Sequence, residues 1–240
     1  MQSEDITIMI CGNLHPIGLE AIPYYLSKSL RVVYSTWKPL NTDEELILTR
    51  VRSMLPDDDI IVSDYANVPG ADNRQNIYYQ MYTWNQAAKR CQTSYCIKMR
   101  TSCRYENMDP FLEKFKQHPD KIICISMFFR PCDRWSYCPG DHVMAMRKDE
   151  ACKLTEFTMD KLTKFGHVIG WNPEEKIGAD ILHLRGYVIN KWDVELAKRQ
   201  MKEVFEVVDI NLLSPTYFCM GSGPYTKSDN NICITDISQV

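Results

Sequence analysis

Apolar residues recur along the chain in two rhythms. "DITIMIC" (5–11) alternates Ile6, Ile8 and Ile10 before Gly12, which predicts a first strand. "RVVYSTW" (31–37), "IIVSDY" (60–65), the run opening "SYCIKMRTSCRY" (94–105) and "KIICISMFF" (121–129) predict further strands by their β-branched, aromatic and apolar content. Between them the period lengthens. "HPIGLEAIPYYLSKSL" carries Ile22, Leu26 and Leu30 at helical spacing, with Pro23 marking a kink or a fresh start. Residues 43–55 predict a helix stopped by Pro56 and Asp57-Asp58-Asp59. From Asn73 to Cys91, Ile77, Met81, Trp84 and Ala88 define one buried helical face, and "MDPFLEKFKQH" is a shorter helix.

Strands alternating with helices predict an α/β fold, a mostly parallel sheet flanked by helices with the strand-following loops gathered on one edge. The second half reads as helical, near 147–165, 173–185 and 191–206, before a Ser/Gly/Pro-rich tail from Ser214. That tail is either a lid over the edge loops or a passive extension. With no repeat and no linker, residues 1–240 read as one domain.

Composition narrows the function classes. Apolar content of 45% and charged content of 25% are those of a globular protein, and a net charge of −3 provides no global field for nucleic acid. No run approaches a membrane-spanning length, and "MQSEDITIMICG" lacks the basic start of a signal peptide, so a cytoplasmic setting with reduced thiols is expected. The ten cysteines include no CxxC pair. Cys132 and Cys138 invite a metal reading and Cys91 with Cys103 a disulfide, but neither spacing is a recognised motif.

Candidate chemistry collects at the predicted strand ends: Gly12-Asn13, Ser35-Thr36-Trp37, Ser63-Asp64, Lys98 to Ser102, and Arg130. Singly, Ser, Thr and Asp at such junctions serve as helix caps. As a set, hydroxyls, a carboxylate and cations at one sheet edge suit a polar ligand carrying phosphate. "DNRQN" (72–76) adds Arg74 beside a helix start, where an anion is favoured. "CPGDHVMAMRKDE" (138–150) holds Asp141 and His142 behind a Pro-Gly turn, and "NPEE" (172–175) is a helix start whose paired acids could face a sugar. GxGxxG, the P-loop, GxSxG and HExxH are absent, as is an Asp-x-Asp following a strand.

The ordered set "STW" (35–37), "DIIVSD" (59–64), "NRQN" (73–76), "CIKMRTS" (96–102), "GDHVMAM" (140–146) and "NPEE" resembles the WavE lipopolysaccharide-synthesis family of glycosyltransferases, which has bacterial and large-DNA-virus relatives. The resemblance implies a GT-A-like, Rossmann-related fold. It also implies a nucleotide-sugar-binding half over about residues 1–130, an acceptor-side half over about 131–240, and a nucleotide-sugar donor with a glycan acceptor, in the cytoplasm of a bacterium or a virus-infected cell. Gly12, Ser35, Thr36 and Asp64 would hold base and ribose; Arg74, Lys98 and Arg100, with Thr101 and Ser102 beside them, would hold the diphosphate. Asp141 would bind or deprotonate the acceptor hydroxyl. The family's Lys-x-Arg-Thr-Asp segment ends here in Ser102, a poor Mn²⁺ or Mg²⁺ ligand. Either Asp64, Asp72 or Asp141 then supplies a metal carboxylate, or the cations act alone. The rival classes are a nucleotidyltransferase and a non-catalytic nucleotide- or glycan-binding protein.

Overall fold

The structure, a computed structural model, describes residues 3–65, 77–126, 129–133, 135–165, 172–214, 217–218 and 236–240. The predicted alternation is present. β1 (Ile6–Cys11), α1 (Pro16–Ser27), β2 (Arg31–Trp37), α2 (Thr42–Met54) and β3 (Ile60–Ser63) follow in turn. Next come α3 (Ile77–Arg90), β4 (Tyr95–Arg100), the two-residue β5 (Cys103–Arg104), α4 (Asp109–Gln117) and β6 (Ile122–Ile125). The rest comprises β7 (Val143–Arg147), α5 (Lys148–Phe165), α6 (Pro173–Leu184), α7 (Val194–Val204), β8 (Phe205–Val208) and β9 (Tyr217–Phe218).

Seven strands form one sheet in the order β3-β2-β1-β4-β7-β6-β8, and β5 pairs with β9 apart from it. β7 lies antiparallel to both β4 and β6, while the other pairings are parallel, so the sheet is mixed but mostly parallel. The chain adds β2 and β3 on one side of β1, then returns to place β4 on the other. This reversal leaves a crevice at the C-terminal ends of β1 and β4, the usual ligand position in such sheets.

Alternation along the strands builds two cores. Met9, Cys96, Met144 and Cys124 face α3, α5, α6 and α7, whereas Ile8, Ile97, Val143 and Ile123 face α1, α2 and α4. Each fully buried Trp84, Phe111 or Phe115 contributes roughly 1.5–3 kcal/mol of apolar burial. Capping agrees with local sequence. Asn41 accepts from Glu44 N at 3.0 Å to start α2, Asp193 accepts from Leu196 N at 2.9 Å to start α7, and α6 opens on a full capping box of Asn172 and Glu175.

Two strands depart from the helical reading of the second half. Residues 143–147 run straight into α5, and 205–208 follow α7 as a strand rather than continuing the helix. Both complete the central sheet. Pro23 lies inside α1 without ending it, at an exposed position. All eight described cysteines are free, including Cys91, Cys103, Cys132 and Cys138.

Candidate active site

The crevice is assembled by close backbone approach. After β4, Thr101 N–H donates to Cys11 O at 3.2 Å, and Gly12 N–H donates to Ser35 O at 3.1 Å. Gly12 has φ +133°, a conformation other residues rarely adopt, and a Cβ there would lie 3.0 Å from Thr101 Oγ1. A Cβ on Gly18 of α1 would stand 2.6 Å from Thr101 O. The turn after β4 is thereby clamped between β1 and α1, and Thr101 is buried in it, while Ser102 is partly exposed. A second clamp acts on the loop before β7. A Cβ on Gly178 of α6 would collide with Tyr137 O and reach 2.6 Å from Pro139 Cδ. This glycine seats the first turns of α6 against the loop that carries Asp141.

Asp141 is the centre of a buried ionic cluster. Its side chain is 0% exposed, and Arg100 Nη2 donates to its Oδ2 at 2.7 Å. Gln80 of α3 donates to the same oxygen, and Lys98 Nζ lies 4.0 Å away while donating to the Asp141 backbone carbonyl. Among the described residues, Oδ1 has no hydrogen-bond partner. Burial favours the protonated carboxyl, but Arg100 and then Lys98 outweigh it and hold Asp141 well below the usual carboxylate range. Lys98 is itself 0% exposed, 5.5 Å from the Trp84 ring centroid, and burial lowers its pKa to about 8. Arg100, at the end of β4, keeps 32% of its side-chain surface exposed.

These positions revise two expectations. Lys98 points into the core between Met9 and Met144, so it stabilises Asp141 rather than meeting a diphosphate. Asp141 is sealed and committed to Arg100, so it is unsuited to accept a proton from a substrate hydroxyl. It fixes the Arg100 fork instead.

The remaining candidates separate. Ser35 and Thr36 are buried neighbours on β2, so their side chains leave opposite faces and cannot converge on one ligand. Among the described residues, neither hydroxyl has a hydrogen-bond partner. Asp64 pairs with Lys38 at 2.6 Å, apart from the Asp141 cluster. Arg74 lies outside the described residues, as does Asp72. His142 is buried with its Nδ1 3.7 Å from Cys103 Sγ. Burial raises the thiol to about 11 and lowers the imidazole well below its ordinary value, so both are neutral.

Two features were named in the sequence without their arrangement. Trp37 stacks on Tyr65 at 4.2 Å and on Tyr82 at 5.5 Å, with Tyr79 edge-on, at the C-terminal ends of β2 and β3. Tyr65 Oη donates to Asn13 Oδ1 at 2.6 Å, tying this aromatic wall to the loop after β1. The second feature is Glu174, partly exposed on the first turn of α6. Burial first and the charge of Asp141 second raise its carboxyl above the ordinary value, while Arg100 and Arg130 oppose the rise.

Among the described residues, the donor set around Arg100 does not fit a divalent cation. The carboxylate at the crevice is already matched to two cations that would repel Mn²⁺ or Mg²⁺, and Ser102 brings no charge. Among the described residues, no three His, Cys, Asp or Glu side chains gather to hold a metal. Nor, among those residues, is any helix long and apolar enough to cross a membrane.

No family model matches this sequence, and no curated protein matches it. Among solved structures, the chain is similar to a glycosyltransferase described as involved in glycosylation of the major capsid of PBCV-1, at 12% identity and a TM-score of 0.46. The match covers 85% of this chain and 81% of that one.

Proposed function

We propose that this protein is a GT-A-like glycosyltransferase that uses a nucleotide-sugar donor, bound at the crevice between β1 and β4. The observation that carries this reading is Arg100. A guanidinium held in one orientation by a buried carboxylate, yet still partly exposed at the sheet's topological switch point, is a preorganised anion donor. It would offset the charge that develops on a diphosphate leaving group, an effect of about 2.7–4 kcal/mol for one well-placed donor. The clamped turn at Gly12, Thr101 and Ser102 would bring backbone beside the phosphates. Tyr65, partly exposed beside Asn13 and backed by the buried Trp37, offers an aromatic ring to a base, and Arg74 and Asp64 remain candidates for the same donor.

The glycan acceptor would approach from the side of α6 and the loop before β7. Because the described donor set is cationic, the diphosphate is expected to be neutralised by Arg100 without a metal carboxylate pair. Ser102 also supports a second reading, a nucleotide-binding protein that does not turn over.

Thermal-shift measurements with UDP-, GDP- and CMP-sugars, each with Mn²⁺ and with EDTA, test the proposal. Stabilisation by at least one nucleotide-sugar that persists in EDTA, with release of nucleoside phosphate on incubation, is the expected result. Stabilisation without release favours the binding protein. No stabilisation by any donor sinks both.

A further inference from the structure

Two carboxylates flank Arg100 in contrasting settings. Asp141 is sealed, its Oδ2 accepting from Arg100 and Gln80 and its backbone carbonyl from Lys98. Glu174 is partly exposed, and among the described residues it forms no ion pair. Its neighbour Glu175 is committed elsewhere. Glu175 Oε2 accepts from Asn172 N at 3.2 Å, closing the capping box, and lies 3.4 Å from Lys191 Nζ. The Gly178 contact presses α6 onto the loop that carries Asp141, and Glu174, four residues before Gly178, lies on the same face of α6. We infer that Glu174 is the general base of the transfer reaction, and that Asp141 instead holds Arg100 in place for the leaving group.

The assignment rests on the glycosyltransferase reading and concerns its proton. The acceptor O–H proton passes to the Glu174 carboxylate as the acceptor oxygen bonds to the anomeric carbon. The bond from that carbon to the phosphate oxygen breaks, and the leaving nucleoside phosphate takes the electron pair, its charge met by Arg100. One base and one displacement give an inverted product. The charged surroundings set the two acids apart. The charges of Asp141, Arg100 and Arg130 act on Glu174, the Cys138 thiol shares its field, and the next residue, Glu175, pairs with Lys191. In this field Glu174 holds its proton more tightly than an ordinary glutamate and Asp141 less tightly than an ordinary aspartate. Acid and base roles divide in this way where two environments push like groups apart.

The test uses the full chain and whichever UDP-, GDP- or CMP-sugar stabilises it, with water as acceptor and nucleotide release as readout. Wild type should show kcat/KM rising with pH through an inflection above the ordinary glutamate value. Glu174→Gln, isosteric and near the surface, should bind donor like wild type, lose roughly 10²–10⁴-fold in rate, and lose that inflection. Glu174→Asp should retain the inflection at a reduced rate. In Asp141→Asn, donor binding should fall while the residual activity keeps the inflection. Wild-type rate or an unchanged inflection in Glu174→Gln, with donor still bound, overturns the inference and leaves the glycosyltransferase reading standing. Donor that fails to bind wild type removes both.

Discussion

At the scale of single residues, Asp141, Lys98 and Arg100 form one charge system with unequal parts. Removing the carboxylate leaves two cations facing each other at the sheet centre, and losing one partner of a buried pair costs about 3–5 kcal/mol. Asp141→Asn should therefore lower the urea midpoint and weaken donor binding together; an unchanged midpoint would show that Arg100 is held by something else. Lys98→Met removes one cation while Arg100 and Gln80 still satisfy Asp141. Its side chain is sealed from any ligand, so donor affinity should remain within about threefold of wild type by titration calorimetry, well under one charge-assisted hydrogen bond. Arg100→Lys keeps the charge but loses the planar fork. Donor affinity should drop roughly 10–100-fold, the equivalent of about 1.5–3 kcal/mol for one charged hydrogen bond. Equal affinity losses in the Lys98 and Arg100 variants would contradict this division.

At the scale of elements, the site depends on how closely α6 meets the loop before β7. Gly178 is a helix-interior glycine, where alanine is ordinarily favoured by about 1 kcal/mol. Here the added methyl collides with Tyr137 O, so Gly178→Ala should destabilise by roughly 1–3 kcal/mol and lower transfer by displacing Glu174. Gly186 offers the control: its φ is +87° and nothing lies within 4 Å of its Cβ position. Gly186→Ala should cost about 1–2 kcal/mol from backbone strain alone and leave transfer unchanged. Urea titration and rate measurement on both variants separate contact from conformation. Such contacts explain where sequence reading stopped. β1 to β4 and β6 were legible, β1 by apolar alternation before Gly12 and the others by β-branched, aromatic and apolar runs. β7 and β8 were not, because each abuts a helix with no turn residue between, at Arg147–Lys148 and Val204–Phe205. The cations of β4 were visible as chemistry, but their division into a buried and an exposed member depends on which helix covers each. Glu174 was half legible. Asn172-x-x-Glu175 is a capping-box spacing, which assigns Glu175 to the helix and leaves Glu174 over.

At the scale of the whole molecule, the two apolar cores on either side of the sheet absorb most of the cysteines, with a consequence in alkali. Seven described thiols are buried, and burial raises the pKa of each above the ordinary value, Cys103 and Cys132 to about 11 and Cys91 to about 12. An acid whose pKa is higher folded than unfolded stabilises the fold only while protonated in both states. Its contribution is lost as pH rises past the unfolded value of 9.0 toward the folded one. A tenfold difference in proton affinity between the folded and unfolded chain corresponds to about 1.4 kcal/mol, so a few such thiols together match the roughly 5–15 kcal/mol that holds a domain folded. Lys98 acts with the opposite sign. Its pKa falls from 10.5 to about 8, so the unfolded chain binds the extra proton and stability gains as pH rises across that window. Lys176, also lowered by burial, acts in the same sense, but two lysines stand against seven thiols and the thiols prevail. The urea midpoint, measured in reductant, should stay level or rise slightly just above pH 8 and then fall steeply between about pH 9 and 11. Lys98→Met should lessen the slight rise and keep the fall. A midpoint level through about pH 10.5 in wild type would mean that these thiols ionise in the folded protein, and that the packing around both faces of the sheet is looser than the structure describes.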